Sequence, residues 1–335
     1  MTIRENTERL LDTAQQKEEV VLRQLENTKR VSPSNHSREL VALDVGEFLA
    51  REFPPRRNLL DPWLPSQGLT MIHAPRGVGK THCSLAIAYA VASGSTFLHW
   101  SAPQPAGVLF LDGEMPAVVL QKRLAAIVAA SDVEPTAPLR IVSPDLQGSG
   151  MPDLSTDDGQ AQIECNLDGI ELIVVDNIST LCRTGRENEA ESWVSVQGRA
   201  LRMRSSGRSV LFVHHGGKGG QQRGTSRRED ILDTVINLRR PADYRPEEGA
   251  VFEVHFEKSR GIYGDDVQSV EARLNTGTND LQFWTTRSVH AGTFERVIAL
   301  NKDGLTQNEI ANELDINKSN VSRHIKRARE EGRIS

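Results

Sequence analysis

Short apolar segments recur through the middle of the chain, and each is followed by a turn rich in glycine or acidic residues. Four of them predict strands, at Leu69–His73, Val108–Leu111, Leu172–Val175 and Val210–Val213. Their apolar residues are continuous instead of alternating, which is typical of strands buried on both faces of a sheet. Because helical segments separate these strands, we expect an α/β fold with a mostly parallel sheet and helices on both faces.

The pattern changes twice more toward the C-terminus. Thr234–Leu238, Val251–Glu257 and Leu281–Trp284 predict strands that extend the sheet as antiparallel members. From residue 291 onward the pattern indicates short amphipathic helices. The predicted domains are an N-terminal helical arm and linker (residues 1–38), an α/β domain (39–290) and a small all-α domain (291–335). The arm is either an exposed helix that packs on a neighbouring subunit or a mobile tail.

The composition narrows the class of protein. The 335 residues are 38% hydrophobic and 25% charged with a net charge of −5, which argues against a generally basic surface for nucleic acid. The cysteines Cys83, Cys165 and Cys182 form no C-x-x-C pair, so we expect neither a disulfide framework nor a zinc site. The sequence has no secretion segment at its N-terminus and no apolar run of membrane-spanning length, so we predict a cytoplasmic protein without membrane contact.

The segment APRGVGKT, from Ala74 to Thr81, follows the first predicted strand and precedes an apolar helix that ends at Gly94. It matches the phosphate-loop pattern G-x-x-x-x-G-K-[ST] except at its first position, where alanine replaces glycine. Such a loop directs backbone N–H groups at phosphate oxygens, in front of a helix N-terminus. We expect Lys80 to contact the β- and γ-phosphates of ATP and Thr81 to ligate Mg²⁺. The predicted nucleotide-binding residues of the loop are Pro75, Arg76, Gly77, Val78, Gly79, Lys80 and Thr81.

Two strands of the predicted sheet are followed by acidic residues. Asp176 comes directly after Leu172–Val175, where a nucleoside triphosphatase places its second Mg²⁺ ligand. Asp112 and Glu114 follow Val108–Leu111, at the carboxyl edge where ligands bind in open α/β sheets. We favour Glu114 as the general base that polarises the attacking water. Asp112 is the competing candidate, and its other role would be that of a turn or capping residue.

A strand that ends in two histidines leads into a glycine-rich basic loop, within SVLFVHHGGKGGQQRGTSRRED at Ser209–Asp230. We expect His215 to sense the γ-phosphate from the end of the strand, with His214 as the alternative. The loop carries Lys218, Arg223, Arg227 and Arg228. It is either a functional loop beyond the sheet edge or an ordinary solvated turn.

Together these segments resemble the RecA-like hexameric helicase ATPases, and in particular the RepA-like plasmid replicative helicases. The resemblance spans residues 40–290 and rests on the phosphate loop, VLFLDGEM, LIVVDNIS and VHHGGKGGQQRGTSRRED. It implies a RecA-like P-loop core that binds ATP and Mg²⁺, with Glu114 as the catalytic glutamate. It also implies that Lys218 and Arg223 reach the nucleotide of a neighbouring subunit in a hexamer, where an arginine stabilises transition-state charge. Arg227 is the alternative to Arg223, because the segment between them and beyond is unusually charged.

The segment LTQNEIANELDINKSNVSRHIKRAREEG, at Leu305–Gly332, predicts a helix-turn-helix. Thr306 and Glu309 form a capping box at the start of its first helix. The second helix begins at Lys318 and places polar and basic residues outward, as a recognition helix does for bases and phosphates. The predicted DNA-binding residues are Lys318, Ser319, Asn320, Ser322, Arg323, Lys326 and Arg327. A helical bundle used only for protein contacts is the alternative.

Two functions fit these features. The first is a ring-forming, ATP-driven motor, a replicative helicase of a plasmid or mobile element. Single-stranded DNA would then be gripped by the loops Arg183–Glu189 and Gly216–Gly224, which are otherwise ordinary surface loops. The second is a regulator that binds duplex DNA and uses ATP to control its oligomerisation. A third hypothesis, a recombinase-like filament, is disfavoured because the sequence has no obvious strand that would link subunits head to tail.

Overall fold

The computed structural model describes residues 40–53, 55–183, 189–216, 230–241, 244–277 and 281–334. The chain divides into two compact units, Met1–Pro55 and Arg56–Ser335. The described part of the first unit carries helix α1, Val45–Ala50, whose N-terminus is capped by the side chain of Asp44. The arm predicted over residues 1–38 lies outside the described residues, so the arm and its boundary remain predictions.

The secondary structure of the second unit alternates between strands and helices. Its strands are β1 (Asn58–Leu60), β2 (Leu64–Pro65), β3 (Leu69–Ala74), β4 (Thr96–Phe97), β5 (Trp100–Ser101), β6 (Val108–Asp112), β7 (Leu139–Val142), β8 (Leu172–Asp176), β9 (Ser209–His215), β10 (Thr234–Arg239), β11 (Val251–Ser259), β12 (Val270–Thr276) and β13 (Gln282–Ser288). Its helices are α2 (Lys80–Ser93), α3 (Ala117–Ala129), α4 (Asp157–Glu164), α5 (Ile178–Leu181), α6 (Glu189–Ser205), α7 (Val289–Lys302), α8 (Gln307–Glu313) and α9 (Lys318–Glu330).

One large sheet, of nine strands over the described residues, has the order β13-β12-β11-β10-β3-β9-β8-β6-β7. The strands from β10 to β7 in this order are parallel, whereas β11, β12 and β13 pair antiparallel at the other end. Parallel strands end at one edge of a sheet, so β3, β6, β8 and β9 all deliver the residues that follow them to the same edge. The predicted α/β fold with a mostly parallel sheet is therefore confirmed.

Some details of the predicted strands are wrong or incomplete. The strand β10 is parallel to β3, not antiparallel as predicted, because the connection from His215 to Thr234 is long enough for a crossover. The sequence pattern misses β7 and β12, which contain charged residues and are only partly buried. It also misses the antiparallel pairs β1–β2 and β4–β5, because strands of two or three residues are too short to show a period.

Apolar layers cover both faces of the sheet, which explains the continuous apolar runs of the sequence. Along β8, Leu172 and Val174 enter the layer that packs against helix α2, whereas Ile173 and Val175 enter the layer that packs against α4 and α6. Helix α2 is buried along almost its whole length and ends at Gly94, which adopts a φ of 71°. Both features agree with the sequence prediction for this helix.

Helices α7, α8 and α9 form the C-terminal domain and share a separate apolar core. Val297, Ile310, Leu314, Val321 and Ile325 are buried in it. The predicted capping box at the start of α8 is present, and α9 begins at the predicted residue. The predicted helix-turn-helix is therefore confirmed.

The C-terminal domain is joined to the sheet by a buried ionic cluster. The carboxylate of Glu271, on β12, accepts hydrogen bonds from Arg287 on β13 and Arg296 on α7, the latter at 2.7 Å. Glu271 is only 3% exposed, so its charge requires these two guanidinium partners. Arg296 also lies 3.6 Å from Glu253 on β11. Two strands of the sheet thus hold the first helix of this domain.

A second polar cluster lies beneath the phosphate loop. His73, the penultimate residue of β3, is 1% exposed, and its Nε2 lies 2.8 Å from the carboxylate of Glu257 on β11. Asn237 and Arg239, on β10, donate to the other oxygen of Glu257 at 2.7 and 3.0 Å. Burial lowers the pKa of His73, assisted by the charges of Arg239 and Lys80 and opposed by Glu257. The cluster therefore joins three neighbouring strands around a neutral histidine.

We expect His73 to make the domain less stable in mild acid. The pKa of His73 is lower in the folded chain than its ordinary value of 6.5, so the unfolded chain binds a proton first as the pH falls. The stabilising contribution is complete above pH 6.5 and is lost as the pH falls toward the folded pKa. Thermal unfolding at pH 8.5, 7.5 and 5.5 should show a smaller loss at pH 5.5 for His73→Gln than for wild type. An identical pH dependence of the two proteins would contradict this.

Candidate functional site

The loop after β3 has the backbone conformation that a phosphate-binding loop requires. Gly77 and Gly79 adopt φ values of 79° and 119°, in the region that residues with a side chain rarely occupy. Helix α2 begins directly afterwards at Lys80, so its N-terminus lies behind the loop. Backbone N–H groups in this arrangement form a site for an anion. Pro75 has no N–H group to donate to a phosphate, and its carbonyl oxygen accepts a hydrogen bond from Lys80.

Lys80 is held inside the loop by its own backbone. Its Nζ donates to the carbonyl oxygens of Ala74 and Pro75, both at 2.9 Å. Burial lowers the pKa of Lys80 to about 8, although the charges of Asp176 and Glu114 act to raise it. Lys80 therefore remains largely protonated at neutral pH and is positioned for an anionic ligand.

Asp176 ends β8 next to helix α2 and is 4% exposed. Its carboxylate accepts a hydrogen bond from the Ser84 hydroxyl at 3.0 Å and another from Thr81. Burial raises the pKa of Asp176 to about 6, and the two hydroxyl groups and the charge of Lys80 counteract that rise. A buried carboxylate beside a threonine hydroxyl is an oxygen donor set of the kind that Mg²⁺ prefers, so the residues fit the predicted metal. Thr81 and Asp176 would hold the ion.

Glu114 lies at the same edge, in contact with the end of β9. Its carboxylate is 3.4 Å from Nε2 of His215, which in turn lies 3.1 Å from the amide nitrogen of Asn177. Burial alone would raise the pKa of Glu114, but the hydrogen bonds from Asn177 and His215 and the charge of Arg76 outweigh burial and lower it. Burial and the charge of Lys80 lower the pKa of His215. The pair is thus an ionised carboxylate beside a neutral imidazole at neutral pH.

Asp112, the competing candidate for the base, has a structural contact instead. It is 2% exposed, and its carboxylate accepts from the backbone N–H of Met115 at 2.9 Å. Burial raises the pKa of Asp112 to about 6, assisted by the charge of Asp176 and opposed by the Met115 hydrogen bond. The next residue, Gly113, has no room for a side chain, since a Cβ there would lie 2.3 Å from Oγ1 of Thr180. Asp112 therefore shapes the turn that presents Glu114.

One cleft of about 630 Å³, within the usual size of small-molecule sites, is lined by the phosphate loop from Arg76 to Thr81 together with Glu114, Asp176 and His215. The cleft also contains residues that the sequence pattern does not single out: His82, Arg123, Asn177 and Arg240. Asn177 directly follows Asp176 in the chain, so the sequence alone could have placed it in the cleft. Arg123 and Arg240 come from helix α3 and from the end of β10, and no local motif marks them. Burial lowers the pKa of Arg123, while the charges of Asp176 and Asp112 oppose that shift.

The predicted basic loop lies outside the described residues, which end at residue 216 and resume at residue 230. The proposed roles of Lys218, Arg223 and Arg227 therefore remain predictions. Of the other predicted DNA-gripping loop, Arg183 is described, and its guanidinium donates to the carbonyl of Met151. The rest of that loop, residues 184–188, also lies outside the described residues.

The outer surface of helix α9 carries the predicted DNA-binding residues. Lys318, Ser319, Ser322, Arg323, Lys326 and Arg327 are exposed, and Asn320 is half-buried. Arg327 already has partners within the domain: it donates a hydrogen bond to Glu331 at 2.7 Å, and its guanidinium carbon lies 4.4 Å from the centre of the Phe294 ring. Arg323 donates to the side chain of Asn320. The side chain of Lys326 is 80% exposed and lies 3.9 Å from the carboxylate of Glu330.

The fold and the geometry of this site define a RecA-like P-loop nucleoside triphosphatase core. The chain belongs to the AAA domain family AAA_25, which matches residues 33–221. Residues 298–335 match the winged helix-turn-helix DNA-binding family. A KaiC-like protein from the archaeon Pyrococcus horikoshii OT3 has a similar crystal structure, with 16% sequence identity and a TM-score of 0.47 over 69% of this chain and 94% of that chain. No helix of the described residues is long and apolar enough to cross a membrane.

We expect Gly79→Ala to weaken nucleotide binding. The φ of 119° at Gly79 strains any residue with a Cβ by about 1–3 kcal/mol, so the loop would have to change its shape. A loss of affinity of about tenfold corresponds to about 1.4 kcal/mol. Gly148→Ala is the matched control, because Gly148 has open space around it and no positive φ. Titration calorimetry with MgATP measures both, and equal affinities for the two variants would refute the assigned role of the loop.

Proposed function

We propose that this chain binds MgATP at the phosphate loop, hydrolyses it, and acts on DNA through its C-terminal domain. The observation that carries the proposal is the contact between Glu114 and His215 in the cleft that also contains Lys80 and Asp176. A protein that only binds a nucleotide needs the loop alone. Hydrolysis also needs a base beside the γ-phosphate, and an ionised carboxylate at this edge supplies one.

Each side chain has a defined task in the proposed reaction. Lys80 exchanges the carbonyl oxygens of its own loop for phosphate oxygens. Glu114 orients the attacking water and accepts its proton. Mg²⁺, held by Thr81 and Asp176, would neutralise charge on the transferring phosphate. His215 has two hydrogen-bonding states, since a protonated Nε2 donates to Glu114 whereas an unprotonated Nε2 accepts from Asn177.

The finer form of the proposal is a ring-forming replicative helicase of a plasmid or mobile element. In a hexamer, Lys218 and Arg223, or Arg227 in place of Arg223, would reach the nucleotide of the neighbouring subunit. The catalytic carboxylate and its histidine support this form, because a motor must complete hydrolysis in each cycle. Single-stranded DNA would then accelerate ATP turnover.

The second candidate is a DNA-binding regulator that uses ATP to control oligomerisation without unwinding. The observation that favours it is the exposed polar and basic surface of helix α9, which resembles a reader of duplex DNA. Such a protein would hydrolyse ATP slowly and bind one duplex site specifically. The comparison of single-stranded with duplex DNA in one turnover assay separates the two candidates.

Glu114→Gln should abolish ATP hydrolysis and leave ATP binding nearly intact, because the amide keeps the size of the side chain but cannot accept a proton. A loss in kcat of about 10²–10⁴-fold is expected for a missing general base. Steady-state turnover with and without single-stranded DNA, together with calorimetry, measures both properties. Asp112→Asn is the informative comparison, since a larger loss of kcat in that variant would move the base to Asp112.

Mixing two inactive variants tests whether an arginine is supplied across a subunit interface. Arg223→Ala and Glu114→Gln are each expected to be inactive. In mixed rings some sites would combine an intact Glu114 with an intact Arg223 from the neighbour, so partial turnover should return. Absence of recovery in a demonstrated mixed oligomer would argue against Arg223 as the residue supplied in trans. The same experiment with Arg227→Ala would then test whether Arg227 has that role.

Arg323→Ala and Lys326→Ala should each weaken duplex DNA binding and reduce its dependence on salt. A phosphate contact contributes about one unit to the slope of log K against log[salt], so each variant should lower the slope by about that amount. Arg204→Ala, an exposed arginine on helix α6, is the control. Fluorescence anisotropy at several salt concentrations measures the slopes. If all three variants behave alike, the surface of α9 is not the DNA interface.

A further inference from the structure

We infer that Arg240 is a positioning residue that holds the apex of the phosphate loop in its binding shape, an inference that rests on the proposed function. Arg240 follows β10, the strand that pairs with β3 on the side opposite to β9. Arg240 is one of the residues that line the nucleotide cleft, although no motif of the sequence marks it.

The guanidinium of Arg240 donates hydrogen bonds to three backbone carbonyls. Its Nη2 donates to the carbonyl of Gly77, at the apex of the phosphate loop. Its Nη1 donates to the carbonyls of Gly249 and Val251, both at 3.2 Å. One guanidinium therefore ties the loop to the turn that leads into β11.

The far side of this bridge is itself well fixed. The ring of Tyr244 lies 3.7 Å from the guanidinium carbon of Arg240, and its hydroxyl donates to the carbonyl of Gly249 at 3.0 Å. Glu248, in the same turn, accepts from Arg273 on β12 at 2.7 Å. The turn is thus anchored to the antiparallel part of the sheet. Because Arg240 binds both this turn and Gly77, it restrains the phosphate loop as well.

The direction of the contact explains why it would matter for binding. In a phosphate loop the N–H groups converge on the ligand, so the carbonyl groups must point away from it. An unrestrained glycine such as Gly77 can turn its peptide and direct a carbonyl at the phosphates, which would repel them. The positively charged guanidinium of Arg240, hydrogen-bonded to the carbonyl of Gly77, disfavours that state. Arg240 contributes without contacting the phosphates.

Two measurements test the inference, and the first needs no nucleotide. Hydrogen–deuterium exchange of the peptide that covers residues 74–80 should be faster in Arg240→Ala than in wild type. The second is the affinity for MgATP and for magnesium tripolyphosphate, which lacks the nucleoside. Both affinities should fall by a similar factor, about tenfold for the loss of about 1.4 kcal/mol of charged hydrogen bonding.

Two further variants control for charge and for folding. Arg240→Lys keeps the positive charge but cannot bridge both carbonyl groups, so it should restore only part of the affinity. Arg204→Ala removes an exposed arginine of helix α6 that does not line the cleft, and it should leave exchange and affinity unchanged. Thermal unfolding without nucleotide establishes that each variant is folded.

The outcomes separate failure of the inference from failure of the proposed function. Unchanged exchange and unchanged affinity in Arg240→Ala, with a wild type that binds MgATP, would overturn the inference alone. A loss confined to MgATP would also overturn it, because Arg240 would then contact the nucleoside. Full rescue by Arg240→Lys would also overturn it, because a positive charge without the bridge between the carbonyl groups would then be sufficient. A wild type that binds neither ligand would overturn the proposed function and the inference together.

Discussion

The burial of opposite charges at one edge of the sheet is the constraint on which the rest of this structure depends. Lys80 and Asp176 are each almost inaccessible, and a buried charge is costly unless it has partners. The loop carbonyls accept hydrogen bonds from Lys80, and the hydroxyls of Ser84 and Thr81 donate hydrogen bonds to Asp176. These partners lie on β3, in the loop and on α2, so the two buried charges fix the start of helix α2 against the ends of β3 and β8.

The same edge connects the candidate chemistry to the C-terminal domain. The strand β3 carries the phosphate loop, and β10, β11 and β12 lie beside it in that order. Glu257 on β11 contacts His73 on β3, and Glu271 on β12 binds Arg296 of helix α7. Strand β11 thus carries both Glu257, which contacts His73 beneath the loop, and Glu253, which lies 3.6 Å from Arg296 of the C-terminal domain.

Much of the candidate site could be predicted from local sequence. The loop, Asp176 and Glu114 each follow an apolar run, and a parallel sheet brings the ends of such runs together. Arg123, Arg240 and Ser84 could not be predicted in the same way. Their partners are distant in sequence, since Arg240 bonds Gly77 across 163 positions, and no local pattern encodes that proximity.

The sequence by itself determined the class of fold, the phosphate loop and the helix-turn-helix, because each depends on residues that are neighbours in the chain. Periodicity, glycine at positive φ and a capping box are local properties. Only the tertiary structure decided that β10 runs parallel to β3, that Glu114 rather than Asp112 faces His215, and that Glu271 binds the C-terminal domain. These depend on which strands become neighbours, and that choice is made by the packing of the whole domain.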